Sequence, residues 1–283
     1  MATETFSSGT VRIHKQDLNG TDVQVESADQ NNPTTLKVHD STLGNVAVTI
    51  TSGAFFPIAD MTVKGTVNEV GTLQLGGGFL GVNFRSILDT TIANNSDFNL
   101  TGTVQEGGPT SQWTIDGKGT FSNNGTVNIS GAETTIGTPV DGTGQFNLTL
   151  GIHAVGSDLT LNNAVGSGQT ISIDAGCHLL LSDTPQFLAQ VNMGVSPSPF
   201  GPGDITLEGI ASTSSTYDGR TLEVFNGSQE VASLHITTQD MQGLLVTSAN
   251  GNTVITPSSS LPIGSTSGWT ADHTMPPIVV AHS

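Results

Sequence analysis

This chain is short of cations. Its 283 residues hold 7 Lys and Arg against 24 Asp and Glu, a formal charge of −17. A nucleic-acid backbone has to be neutralised by cations, so nucleic acid is excluded as the main partner. An anionic membrane surface is excluded on the same ground. Cys177 is the single cysteine, so no intramolecular disulfide can form. In Asp174-Ala175-Gly176-Cys177-His178 it reads as a small buried hydrophobe. A nucleophilic partnership with His178 is disfavoured, because neighbours along a strand point to opposite faces. Aromatics make up only 5% and hydrophobic residues 35%, which predicts a thin core of Val, Ile and Leu. No apolar run approaches the roughly 18 residues that span a membrane, so membrane insertion is not expected. The start, Met1-Ala2-Thr3-Glu4-Thr5-Phe6, has neither the basic nor the apolar region of a secretory signal. Helical periodicity is missing too: its best candidate, Phe84-Arg85-Ser86-Ile87-Leu88, is too short.

In place of these features the chain has a rhythm. Short alternating phrases such as Val23-Gln24-Val25, Leu36-Lys37-Val38, Leu73-Gln74-Leu75, Val127-Asn128-Ile129, Leu159-Thr160-Leu161 and Ile171-Ser172-Ile173 recur between Gly-, Asn- and Ser-rich turns. Each phrase can bury one face and wet the other as a strand. Units such as Asn124-Gly125-Thr126-Val127-Asn128-Ile129 have the form of one rung of a parallel β-helix, with Asn and Thr stacked in ladders outside small aliphatics. The fold expected is all-β: a parallel β-helix, or β-solenoid, over 1–182. Prolines 185, 197, 199 and 202 then mark a loop or boundary over 183–203. A hairpin-rich β module over 204–256, with turns at Tyr217-Asp218-Gly219-Arg220 and Asn226-Gly227-Ser228, completes or caps the solenoid. Residues 257–283 form a Pro- and Ser-rich tail. The denser segment Phe55-Phe56-Pro57-Ile58 reads as a bulge or cap contact.

Three stretches carry a resemblance. They are Asn163-Ala164-Val165-Gly166-Ser167-Gly168-Gln169-Thr170-Ile171, Phe200-Gly201-Pro202-Gly203-Asp204-Ile205-Thr206-Leu207, and Thr216-Tyr217-Asp218-Gly219-Arg220-Thr221-Leu222-Glu223-Val224. Together they resemble repeat modules of large bacterial exoproteins, the autotransporter-passenger-like and haemagglutinin-like adhesins, over about a third of the chain. The resemblance implies a right-handed β-helix, extracellular or cell-surface use, and no catalytic residues. Such adhesins are usually longer and carry an export signal or a membrane barrel. Export would here proceed without a visible N-terminal signal, and a cytoplasmic location is also compatible. Tandem calcium-binding nonapeptides are absent, and Gly201-Pro202-Gly203-Asp204 is a single partial match. No cofactor is expected, calcium being the only one hinted at.

Catalytic candidates are thin. Asp116 and Lys118, Asp141, and Asp218 are each flanked by Gly and read as turn residues. No acidic pair recurs at rung spacing, the seven histidines are scattered, and no phosphate loop or nucleophile elbow occurs. The function expected is therefore non-catalytic: a structural protein of the bacterial surface or extracellular matrix that self-assembles into fibres or mediates adhesion. Its partner would be itself, and possible further partners are a polysaccharide or a cell surface. The alternatives are a glycan-binding or phage tail-fibre-type β-helix, then a polysaccharide lyase or hydrolase. Strand-like pieces at the two ends, Val11 with Ile13 and Ile278-Val279-Val280, are the expected assembly residues, since unpaired strand edges invite another subunit.

Overall fold

The computed structural model describes residues 3–6, 10–19, 21–27, 34–50, 58–69, 72–75, 87–92, 96–100, 103–107, 111–151, 155–194, 201–238, 243–258 and 278–279. The protein is all-β, with 65% strand and no α-helix among the described residues. Its strands form two long mixed sheets of 13 and 14 strands. The first sheet runs in order through β1 (Thr3–Phe6), β3 (Asp22–Ser27), β5 (Asn45–Ile50), β7 (Thr72–Leu75), β10 (Thr103–Gly107), β13 (Thr126–Ser130), β16 (Gln145–Thr149), β18 (Thr170–Ile173) and β20 (Gln190–Met193). Every neighbouring pair here is parallel. The second runs through β2 (Thr10–His14), β4 (Thr34–Leu43), β6 (Ile58–Glu69), β8 (Ile87–Ile92), β11 (Gln112–Gly117), β14 (Glu133–Ile136), β17 (Asp158–Leu161), β19 (His178–Leu181) and β21 (Asp204–Leu207), again all parallel.

A third row branches from the second sheet. The far halves of β4 and β6 pair there with each other, and β6 pairs on with β9 (Asp97–Leu100), then β12 (Thr120–Asn123) and β15 (Val140–Asp141). Single bridges through Val165 and Phe187 continue the row. Up to β21, consecutive strands thus fall in different rows, and paired strands within a row lie on the order of 20–30 residues apart in sequence.

Alternation drives this arrangement. Val127 and Ile129 on β13 are buried while Thr126, Asn128 and Ser130 face outward. Because the pairing is in register, inward residues stack into columns: Val104, Val127, Phe146, Ile171 and Val191 line the first sheet, all fully buried. Ile115, Ile136, Leu161, Leu181 and Leu207 form such a column in the second. Each such side chain contributes about 1.5–3 kcal/mol by leaving water. Three buried aromatics meet beside the third row. Phe98 stacks on Phe121 at 5.7 Å, and Trp113 meets Phe121 edge-on at 6.2 Å. The Trp113 indole Nε1 donates to Thr90 Oγ1 at 3.2 Å, which satisfies its only polar atom.

The 183–203 stretch, expected as a loop or boundary, contains β20 in parallel register with β18. Its Pro185 stands in the first turn of a 3-10 helix over Thr184–Gln186, where no backbone N–H is needed, so it does not interrupt the row. Phe187 follows directly and is buried. Parallel pairing ends later. β20 pairs parallel with β24 (Gln229–Thr238), which continues antiparallel through β23 (Thr221–Asn226), β22 (Ser214–Tyr217) and β27 (Ile278–Val279). β21 is followed by β26 (Asn252–Ser258) and β25 (Gly243–Ala249), also antiparallel. Residues 55–57, the glycines at 76–78, Phe84–Ser86, the tail over 259–277 and Val280 lie outside the described residues.

Candidate functional site

The outer faces differ in chemistry. On the first sheet from β13 to β20 the outward positions are neutral amides and hydroxyls. Asn147 Nδ2 donates to Asn128 Oδ1 at 2.8 Å, and Gln145 Nε2 to Asn147 Oδ1 at 3.1 Å. The second sheet carries charge. Gln112, Glu133, Asp158, His178 and Asp204 occupy one register column across β11, β14, β17, β19 and β21. Gln112 Nε2 donates to Glu133 Oε2. His178 Nδ1 lies 2.7 Å from Asp204 Oδ2. Four positions further along the chain, just past the strand ends, Ser182 Oγ lies 2.9 Å from Asn162 Oδ1 and 2.6 Å from Glu208 Oε2.

Adjacent carboxylates therefore do stack, at Glu133 and Asp158, contrary to the expectation that no acidic pair recurs at rung spacing. The reason is unequal loop length. Glu133 faces Asp158 and Asp158 faces His178 across intervals of different size, so a search at one fixed period passes over the column.

The column responds to pH in one direction. The Asp204 hydrogen bond raises the His178 pKa above the ordinary imidazole value. Burial raises that of Asp158, partly offset by His178. A raised His178 contributes stability that is complete below its unfolded pKa and lost as pH rises through the folded one. Asp158 acts in the same sense at lower pH: its protonated form is favoured in the fold, so ionising it on the way up costs stability. His178→Gln is thus expected to lower Tm by about 1 °C at about pH 5.5, the size of one exposed ion pair, and by less at about pH 8. Scanning calorimetry of both proteins at the two pH values checks this, and an equal loss at both refutes the His178–Asp204 assignment.

A second feature lies at the opposite end of the same face. Arg12, Lys37 and Thr62 share one register column, and His14, His39 and Lys64 the next, across β2, β4 and β6. The imidazoles of His14 and His39 stack at 4.7 Å. His39 Nδ1 lies 3.2 Å from Asp40 Oδ2. Where each strand leaves this face the backbone turns left-handed at a non-glycine residue: Lys15 at φ 50° and Asp40 at φ 45°. Such residues cost about 1–3 kcal/mol each and persist only where surrounding contacts enforce them. Here the Lys15 N–H donates to His39 O at 2.9 Å and the Gln16 N–H to Ser41 Oγ at 3.1 Å, while Ser41 Oγ donates to His39 O at 2.8 Å. Between the turns opens a polar groove of about 400 Å³, walled by Lys15, Gln16, Asp17, Asp40, Ser41 and Asn68. Alternation predicts which of these residues face out. It gives no sign of the groove, which the left-handed turns create.

The other residues singled out by sequence fall as follows. Val11 and Ile13 point into the core and pair through β2 with β4. Ile278 and Val279 pair with Tyr217 and Thr216 of the same chain. The two ends are not brought together by any described pairing. Cys177 is fully buried, its Sγ 3.5 Å from the Ser157 N–H, while the His178 side chain is 52% exposed. Burial raises the thiol pKa further. Asp218 holds its own turn, accepting from the Arg220 and Thr221 N–H groups at 2.8 and 2.6 Å, which lowers its pKa. Asp141 accepts from the Gly142 N–H at 2.7 Å. Asp116 and Lys118 are exposed. No group of three metal-ligating side chains occurs among the described residues. Neither a protein-family model nor a curated protein matches the chain, so the resemblance to exoprotein repeats rests on the three stretches of sequence that suggested it.

Proposed function

We propose that this is a non-catalytic structural protein of the bacterial surface or extracellular matrix. It is wound as a right-handed β-solenoid, as the exoprotein-like stretches imply, and it assembles with copies of itself. The observation that supports this most is the state of the sheet edges. Two sheets of parallel, in-register strands end at β1 and β2, whose outer edges pair with no other strand among the described residues. Such edges present unpaired N–H and C=O groups to a further strand. At the other end β27 contributes two residues to β22. Giving that short strand to a second copy's β22 exchanges equivalent hydrogen bonds, which is the low-cost route of domain swapping. The neutral amide columns of the first sheet and the charged columns of the second leave two broad faces for contact with a surface.

Assembly is expected to rise with concentration in sedimentation velocity and to appear as fibres by electron microscopy. Deleting residues 270–283 should abolish it without lowering Tm by more than about 2 °C, because among the described residues two of the tail pair with the sheet. A protein that stays monomeric from micromolar to near-millimolar concentration refutes the reading, as does unchanged assembly after the deletion.

A further inference from the structure

We propose that the corner groove and the basic columns beside it bind an acidic polysaccharide, a polymer of uronic-acid sugars. Four of the protein's 7 Lys and Arg, Arg12, Lys15, Lys37 and Lys64, are gathered on three adjacent strands and the turn leaving one of them, in a chain of charge −17. All four are exposed. Their positions follow from register: Arg12 sits beside Lys37, and Lys64 beside the stacked His14–His39 pair. Neighbouring strands lie about 4.8 Å apart and alternate residues about 6.8 Å, so these groups form a small grid of cations.

The groove supplies the other half of the recognition. Lys15 donates, Asp17 and Asp40 accept, and Gln16 and Asn68 can do both. Sugar hydroxyls likewise both donate and accept, and a carboxylate is a strong acceptor for them. The groove is shallow and open, so a polymer would lie across it with part of each ring still in water. The strained turns at Lys15 and Asp40 place one side chain of each sign at its mouth.

The same two aspartates separate this ligand from a nucleic acid. A phosphate backbone carries charge at every residue and would run against Asp17, Asp40 and the acidic column beyond. A uronic-acid polymer spaces its carboxylates with hydroxyl-bearing rings, so that carboxylates can meet the cations while hydroxyls meet the aspartates.

The inference does not require assembly, because a monomer carries the whole site. Calorimetric titration of the monomeric fraction with polygalacturonate at low salt tests it, with dextran and a single-stranded oligonucleotide as comparisons. Polygalacturonate is expected to bind, and raising the salt concentration should weaken it. Dextran should not bind measurably. Arg12→Gln/Lys37→Gln/Lys64→Gln should weaken binding about tenfold or more. Lys15→Gly should also weaken binding, yet fold normally, because glycine suits the left-handed turn. Lys118→Gln, an exposed cation on another turn, should change nothing. The proposal is overturned if polygalacturonate does not bind, if the triple variant binds it as the parent does, if dextran binds equally, or if the oligonucleotide binds more tightly. Loss of fibres with retained binding would count only against assembly, and the converse only against the groove.

Discussion

Gly117→Ala is expected to destabilise the protein by about 4 kcal/mol or more, enough to lower Tm by roughly 8 °C at about 2 °C per kcal/mol. Gly117 ends β11 where the chain turns from the second sheet into the third row. Its φ of +113° belongs to a region that side chains rarely adopt, and an added Cβ would lie 2.1 Å from the Ile92 carbonyl oxygen. That oxygen already accepts the Lys118 N–H at 3.1 Å. The clash is with backbone, which cannot move aside as a side-chain tip does. Relieving it would shift β11 against β8 and disturb the nearby Trp113, whose indole is held by Thr90. Gly219→Ala provides the control. Its φ is +95°, but nothing lies within 4 Å of the added Cβ, so only the backbone cost of about 1–2 kcal/mol applies. Urea unfolding of the two variants separates conformational strain from close approach. If they lose the same stability, the tight packing of neighbouring strands at this corner is refuted.

The all-β class was legible because burial here follows the period of two. Thr126-Val127-Asn128-Ile129-Ser130 predicts its own inward and outward faces, and the structure buries Val127 and Ile129. Register was less legible. Glu133, Asp158, His178 and Asp204 are brought side by side by loops of unequal length, and alternation within a strand carries no record of the length of the loop that follows. Proline misled at 183–203 for a related reason: Pro185 stands where a helical first turn tolerates it, and the strand resumes at Gln190. The corner groove lay furthest from view. It depends on left-handed backbone at Lys15 and Asp40, and neither residue type announces that conformation as glycine does. Its cations were visible individually, since Arg12, Lys15 and Lys37 stand close in a basic-poor chain. Only the pairing of β2, β4 and β6 places them on one face.

Gln169→Leu should cost nearly as much as the glycine substitution, about 3 kcal/mol, by a different mechanism. Gln169 is 1% exposed. Its Nε2 donates to Asn123 O and Asp141 O, each at 2.8 Å, and its Oε1 accepts from Asn123 Nδ2 at 3.0 Å. Asn123 is fully buried too, and its Oδ1 accepts the Gly125 N–H at 3.1 Å. One amide side chain thus serves two carbonyls at the bend after β12 and β15, of which Asn123 O also accepts the Gly144 N–H at 2.8 Å. Leucine fills a similar volume, so packing is largely kept while Asn123 O, Asn123 Nδ2 and Asp141 O each lose a partner. Asn123→Ala removes one of those groups, and the double variant should therefore lose less than the sum of the single losses, with a coupling of about 1–2 kcal/mol. A Gln169→Leu loss below about 1 kcal/mol would mean that water reaches these carbonyls and that the amides do not close this corner of the core.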